Sequence, residues 1–74
     1  LIQLSYVCGT KFRVNNLSSK WIDVSYQLQN TEERGDLAVG PQTEEIIWTH
    51  ETGTVVLFYL GNAIRTVANG GTAC

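Results

Sequence analysis

Hydrophobic and polar positions alternate along most of this chain with the two-residue period of a β-strand, whose side chains point to opposite faces. Residues 21–29 show the pattern best: Ile22, Val24, Tyr26 and Leu28 alternate with Trp21, Asp23, Ser25, Gln27 and Gln29. That spacing predicts a half-buried strand. Residues 1–8 alternate in the same way, with Ile2, Leu4, Tyr6 and Cys8 set against Leu1, Gln3, Ser5 and Val7. Gly9-Thr10 breaks the run, and residues 11–14 then place Phe12 and Val14 inward and Lys11 and Arg13 outward. Further short strands are expected at residues 36–39, with Leu37 and Val39 inward, and at residues 43–49, with Ile47 opposite Ile46 and Trp48. Gly40-Pro41 separates these two, since proline cannot donate to a strand ladder.

The stretch TVVLFYLGNAIRTVA, residues 54–68, reads as two strands joined by Gly61-Asn62, a pair that supplies the positive φ angles of a tight hairpin. Its first arm is apolar on both sides, with Val55, Leu57 and Tyr59 on one face and Val56, Phe58 and Leu60 on the other. An outer strand of a small antiparallel sandwich normally has one solvated face, so the second apolar face calls for a cover. No apolar pattern of period 3.6 is long enough for a helix. About seven short strands separated by turn residues predict an all-β fold, a single domain over residues 1–74 built as an immunoglobulin-like sandwich of two antiparallel sheets. A small β-barrel is the alternative.

Composition narrows the classes of function. A chain of 74 residues buries only about 60% of the surface its unfolded form exposes, so a covalent staple or a partner matters to it. An apolar share of 43% with a charged share of 16% excludes disorder. The net charge of −2, with Lys and Arg scattered singly, leaves no basic stripe for a phosphate backbone, and nucleic acid is not an expected partner. No apolar run approaches the roughly 20 residues of a membrane span. The chain opens at Leu1 and contains no Met, which points to a processed product or a fragment of a longer precursor, and export to an extracellular location is the expectation.

Cys8 and Cys74 have neither CxxC spacing nor companion metal ligands, and they are expected to form a disulfide. An internal bridge closes nearly the whole chain, worth about 4 kcal/mol in the chain-entropy account. A bridge between neighbouring molecules is the alternative, because residues 69–74 form a Gly-rich tail expected to be flexible. The remaining chemistry is sparse. The single His50 lies in a turn with no nucleophile motif beside it, and adjacent acids such as Glu32-Glu33 or Glu44-Glu45 point to opposite faces of a strand. Neither catalysis, a cofactor nor a metal site is expected. Asn16-Leu17-Ser18 fits a glycosylation sequon but also reads as a polar turn. Arg34-Gly35-Asp36 resembles the integrin-recognition tripeptide of animal matrix proteins and is expected in an inter-strand loop, but it also reads as Gly35 serving the turn and Asp36 opening the next strand. Trp21 and Trp48 are candidate stacking platforms for the rings of a polysaccharide.

Three apolar runs exceed what one small sandwich covers: residues 1–4, residues 46–48 and residues 55–60, none of which contains Lys, Arg or Pro. Unblocked apolar strands pair with other chains. Taken together, CGTKFRVNN, WIDVSY, GDLAV and TVVLFYLGNAIRTV resemble small β-sandwich modules of bacterial secreted proteins, a class of non-catalytic spacers, adhesive domains and fibre subunits. The apolar strand preceding the first cysteine resembles pilus and fibre subunits, and that resemblance implies an N-terminal donor strand at residues 1–7 that completes the sheet of the next molecule. The expected function is therefore that of a non-enzymatic, secreted structural protein, a subunit of an extracellular fibre or surface assembly. Its partners would be copies of itself, bound through Leu1, Ile2, Leu4, Val56, Phe58 and Leu60. The alternative is a carbohydrate- or surface-binding module that uses Trp21 and Trp48.

Overall fold

Alternation becomes seven strands in the computed structural model, which describes residues 1–74: β1 (Ile2–Cys8), β2 (Lys11–Asn16), β3 (Ile22–Leu28), β4 (Arg34–Val39), β5 (Glu44–Trp48), β6 (Thr54–Tyr59) and β7 (Asn62–Ala68). All pairings are antiparallel, in a three-stranded sheet of order β1-β2-β5 and a four-stranded sheet of order β4-β3-β6-β7. The sheets do not close on one another, so the fold is the two-sheet sandwich and not the barrel. The constant-type immunoglobulin arrangement puts its fourth strand on the sheet of the first two. Here a tight turn keeps β4 beside β3. The Leu28 amide donates to the Glu33 carbonyl at 2.9 Å, the Thr31 hydroxyl donates to the Leu28 carbonyl at 2.7 Å, and Asn30 takes φ 63°. This turn starts β4 at Arg34, two residues earlier than expected, so Arg34-Gly35-Asp36 is extended strand and not a displayed loop.

One face of each strand meets in a single core. Phe12, Val14, Leu28, Val39, Val55 and Leu57 have no exposed surface, and Ile2, Leu4, Val24 and Ile47 are also buried with them. Tyr6, Ile22, Tyr26, Leu37, Ile64 and Val67 pack around this cluster. Gly35 is fixed by that packing: a Cβ there would stand 2.8 Å from the Tyr26 ring on the neighbouring strand.

Ile2 and Leu4, expected at an interface between molecules, belong to this chain's own core instead. β1 pairs with β2 from Ile2 opposite Asn16 to Tyr6 opposite Phe12, so residues 2–6 complete their own sheet and are not left free to serve a neighbour. The physical reason is parity: the register that pairs β1 with β2 turns Ile2 and Leu4 toward the same interior as Phe12 and Val14.

The hairpin differs from expectation by one residue. Positive φ falls on Leu60 (52°) and Gly61 (80°), and Asn62 already belongs to β7, paired with Tyr59. Beyond the turn, β7 also carries an irregularity that Ile64 and Val67 account for. They are three apart, so a regular strand would send them to opposite faces. A bulge opposite Leu57 and Phe58 absorbs the odd residue and lets both pack on the core.

Residues 69–74, expected to be flexible, are instead tied to β1. Cys8 and Cys74 form a disulfide within the chain, with Cα atoms 4.9 Å apart. The Gly9 amide donates to the Thr72 carbonyl, the Thr72 amide donates to the Tyr6 hydroxyl at 3.0 Å, and the single proton of that hydroxyl is shared between the Thr72 and Gly9 carbonyls at 2.9 and 3.0 Å. Asn69 reaches the same Gly9 carbonyl at 2.7 Å through Nδ2. At the other end of β2, Asn16 is fully buried. Its Nδ2 donates to the carbonyls of Lys20, Val39 and Gly40 at 2.7, 3.0 and 3.1 Å, and its Oδ1 accepts from the Ser18 amide and hydroxyl. The sequon nitrogen is thus occupied, and the polar-turn reading describes this segment.

Replacing both Cys8 and Cys74 with Ser should lower unfolding free energy by about 2–4 kcal/mol in urea titrations, since closing a chain of this length removes denatured-state entropy. Asn16→Ala should cost about 2–3 kcal/mol by the same measurement, because it leaves buried carbonyls without a donor.

Candidate functional site

With no helix in the chain, surface chemistry is set by which side chains each sheet turns outward. On the four-stranded sheet the register places Asp23, Ser25 and Gln27 of β3 beside Asp36 and Ala38 of β4 and beside Val56 and Phe58 of β6. A shallow hollow of about 400 Å³ opens on this face, lined by Asp23, Ser25, Asp36, Ala38, Phe58 and Leu60 among others. Val56 and Phe58 are half-buried by their neighbours in the sheet. Leu60, at the hairpin tip, is 81% exposed.

Leu60 is also held in the left-handed region, with φ 52°. That conformation costs a non-glycine residue about 1–2 kcal/mol, and turns of this type favour Asn, Asp or Gly there. A large apolar side chain is therefore held in a costly backbone conformation and is exposed to solvent.

The three-stranded sheet turns out a different set. Lys11 of β2 stands opposite Trp48 of β5, Arg13 opposite Ile46, and Asn15 opposite Glu44. The Lys11 ammonium lies 4.9 Å from the Trp48 ring centroid, a cation–π distance. Arg13 Nε is 3.2 Å from the Glu44 carboxylate, without the alignment of a hydrogen bond. His50 Nδ1 also lies 3.2 Å from the Glu33 carboxylate. Asp23, Asp36 and Lys11 therefore form no ion pair within the chain.

The remaining expected site residues are scattered. Leu1 is exposed and rims an apolar hollow with Ile2, Ile22, Tyr59, Ile64 and Arg65, where the edges of β1 and β7 leave the sandwich open. Trp21 and Trp48 are 70% and 60% exposed but do not converge. Trp21 lies against Gly40, before β5 begins, whereas Trp48 is the last residue of β5. Each is a single ring on its own. Arg34 and Asp36 face outward from edge strand β4, with Gly35 turned toward Tyr26. His50 is exposed, and its backbone amide donates to the Glu33 carboxylate at 3.0 Å, which joins the β5–β6 turn to the β3–β4 turn. No group of three His, Cys, Asp or Glu side chains gathers in a way that would hold a metal ion, and no helix is long and apolar enough to cross a membrane.

No family model, curated protein or solved structure matches this chain. The functional reading therefore rests on these surfaces.

The residues that sequence reasoning missed are Lys11, Asp23 and Asp36 as unpaired charges beside outward apolar groups, and Tyr6 as the anchor of the tail. Outward parity alone could have found the first three. Tyr6 could not be found that way, because its partners are backbone atoms of residues 9 and 72.

Tyr26 titrates unusually. Burial against the core raises its pKa above the ordinary value of 10.0, and the nearby Glu33 carboxylate raises it further. The unfolded chain then loses the phenolic proton first, so stability is intact below about pH 10 and falls as pH rises through the folded-state value. Tyr26→Phe should flatten this alkaline decline, read as urea midpoints across the pH range. In the wild type, the phenolate absorbance of one of the three Tyr should appear late.

Proposed function

We propose that this protein is a non-enzymatic structural subunit that associates with copies of itself, in an extracellular setting. The observation that carries the reading is the outer apolar side of β6. Val56 and Phe58 lie half-buried on the outward side of the sheet, Phe58 and Leu60 line a shallow hollow there, and the hairpin presents Leu60 at its tip in a left-handed conformation. A costly backbone conformation that displays an apolar group suggests a contact made outside the molecule.

Two further features support the reading. The open sheets leave four edge strands, β1, β5, β4 and β7. The Cys8–Cys74 disulfide suits an oxidising compartment. Because the bridge lies within one chain, association would proceed through surfaces and not through a covalent joint. The carbohydrate-binding alternative is weaker, since the two Trp side chains stand apart.

Sedimentation velocity over a range of protein concentrations tests the proposal. The expected result is reversible, concentration-dependent association; a monodisperse monomer at the highest soluble concentration would rule it out. Leu60→Asn separates fold from association. It should stabilise the monomer by about 1 kcal/mol, because Asn accepts the left-handed turn position, while it raises the association Kd several-fold.

A further inference from the structure

We propose that the outer face of the four-stranded sheet docks on the outer face of the three-stranded sheet of a second copy, so that molecules stack face to face in an open series. The proposal rests on the association reading above and specifies which surfaces meet.

Charge selects the pairing. On the four-stranded face, Asp23 and Asp36 flank the hollow that holds Phe58 and Leu60, and neither carboxylate has an ion-pair partner within the chain. Arg34, the cation of that face, stands opposite Gln27 and two residues from Asp36, so Asp23, Asp36 and Arg34 together leave the face with a net charge of −1. On the three-stranded face, Glu44 is already engaged by Arg13, which leaves Lys11 as the unpaired charge, set over the exposed Trp48 ring. One face thus offers apolar groups bordered by free carboxylates, and the other an exposed indole and Ile46 bordered by a free ammonium. Two copies of the four-stranded face would bring together surfaces of the same net negative charge, which disfavours that pairing relative to the unlike one.

Area is sufficient. The chain measures 32 × 25 × 15 Å along its principal axes, so its broadest projection is at most about 800 Å². That is the area each partner contributes to an interface of standard size. Geometry then sets the outcome. The complementary faces lie on opposite sides of one sandwich, so a contact that fills one leaves the other free, and such a heterologous contact propagates unless its rotation closes a ring. Asp23 and Lys11 lie on the inner strands β3 and β2, and Asp36 on the edge strand β4 with its side chain on the broad face, so the contact is made by side chains and not by the unpaired backbone of an edge.

A charge swap tests the pairing in sedimentation experiments at low salt. Lys11→Glu alone and Asp36→Lys alone should each raise the association Kd at least about tenfold, by opposing like charges across the contact. An equimolar mixture of the two variants should regain association to within a few-fold of wild type, because each supplies the charge that the other needs. Wild-type association by Lys11→Glu alone, or a mixture that does not recover, would overturn the stacking and leave self-association standing through edges or like faces. A wild-type chain that never associates would overturn the association reading as well. Both positions are on solvent-facing sides of their strands, and the far-ultraviolet spectrum reports whether each variant folds. Asp23→Lys replaces Asp36→Lys if the latter does not.

Discussion

The structure depends on a constraint of strand geometry: successive side chains point to opposite faces, so a two-layer sandwich can take only half of any strand into its core. In most of this chain the sequence respects that limit, with Phe12 and Val14 inside against Lys11 and Arg13 outside. In β6 it does not. Val55 and Leu57 are fully buried, and the alternate positions Val56 and Phe58 are apolar as well. A second layer covers one side of the strand. The other side has only its neighbours in the same sheet.

A small sandwich also has to hold its ends. The disulfide joins residues 66 positions apart, and Tyr6 gathers the same region through bonds to the backbone of residues 9 and 72. Tyr6 also packs edge-on against Phe12, with ring centroids 5.4 Å apart, so the tail is coupled to the core through one side chain. Asn16 does comparable work at the opposite end of β2, where its amide joins the β2–β3 connection to the end of β4. These polar anchors sit where strands change sheets and ladder hydrogen bonds run out.

Strand identity and core membership were legible in the sequence because alternation is a local signal. The inward positions of β3, Ile22, Val24, Tyr26 and Leu28, can be read from nine consecutive residues, and all four pack on the core. Features that depend on register were not legible. Gly61-Asn62 reads as the turn because that pair supplies positive φ, but the ladder closes one residue earlier, with Tyr59 paired to Asn62 and Leu60 in the left-handed position. The tail read as loose from its glycines, whereas Gly70 lies against the Tyr6 ring, so close that a Cβ there would stand 2.8 Å from it. The apolar opening of the chain suggested a strand for a neighbour, and only the pairing with β2 shows where Ile2 and Leu4 go. In the candidate site, the apolar members of the β6 face were visible as a surplus, while the charges bordering them came together only once β3, β4 and β6 were set side by side.

The net charge of −2 bears on what that surplus can do. Equal copies with the same net charge repel weakly at long range, so association has to come from short-range complementarity and not from general attraction. A purely apolar patch would provide attraction without orientation, and the edges of both sheets would compete with it. Unpaired charges beside the apolar groups supply what the patch lacks. In the proposed stack they would oppose like faces, favour unlike ones and fix which side of the sandwich meets which. The same feature would limit nonspecific aggregation, because a misoriented copy would bury a carboxylate without a partner. Leu60 and Phe58 would then contribute the attraction, and Asp23, Asp36 and Lys11 the choice of partner face.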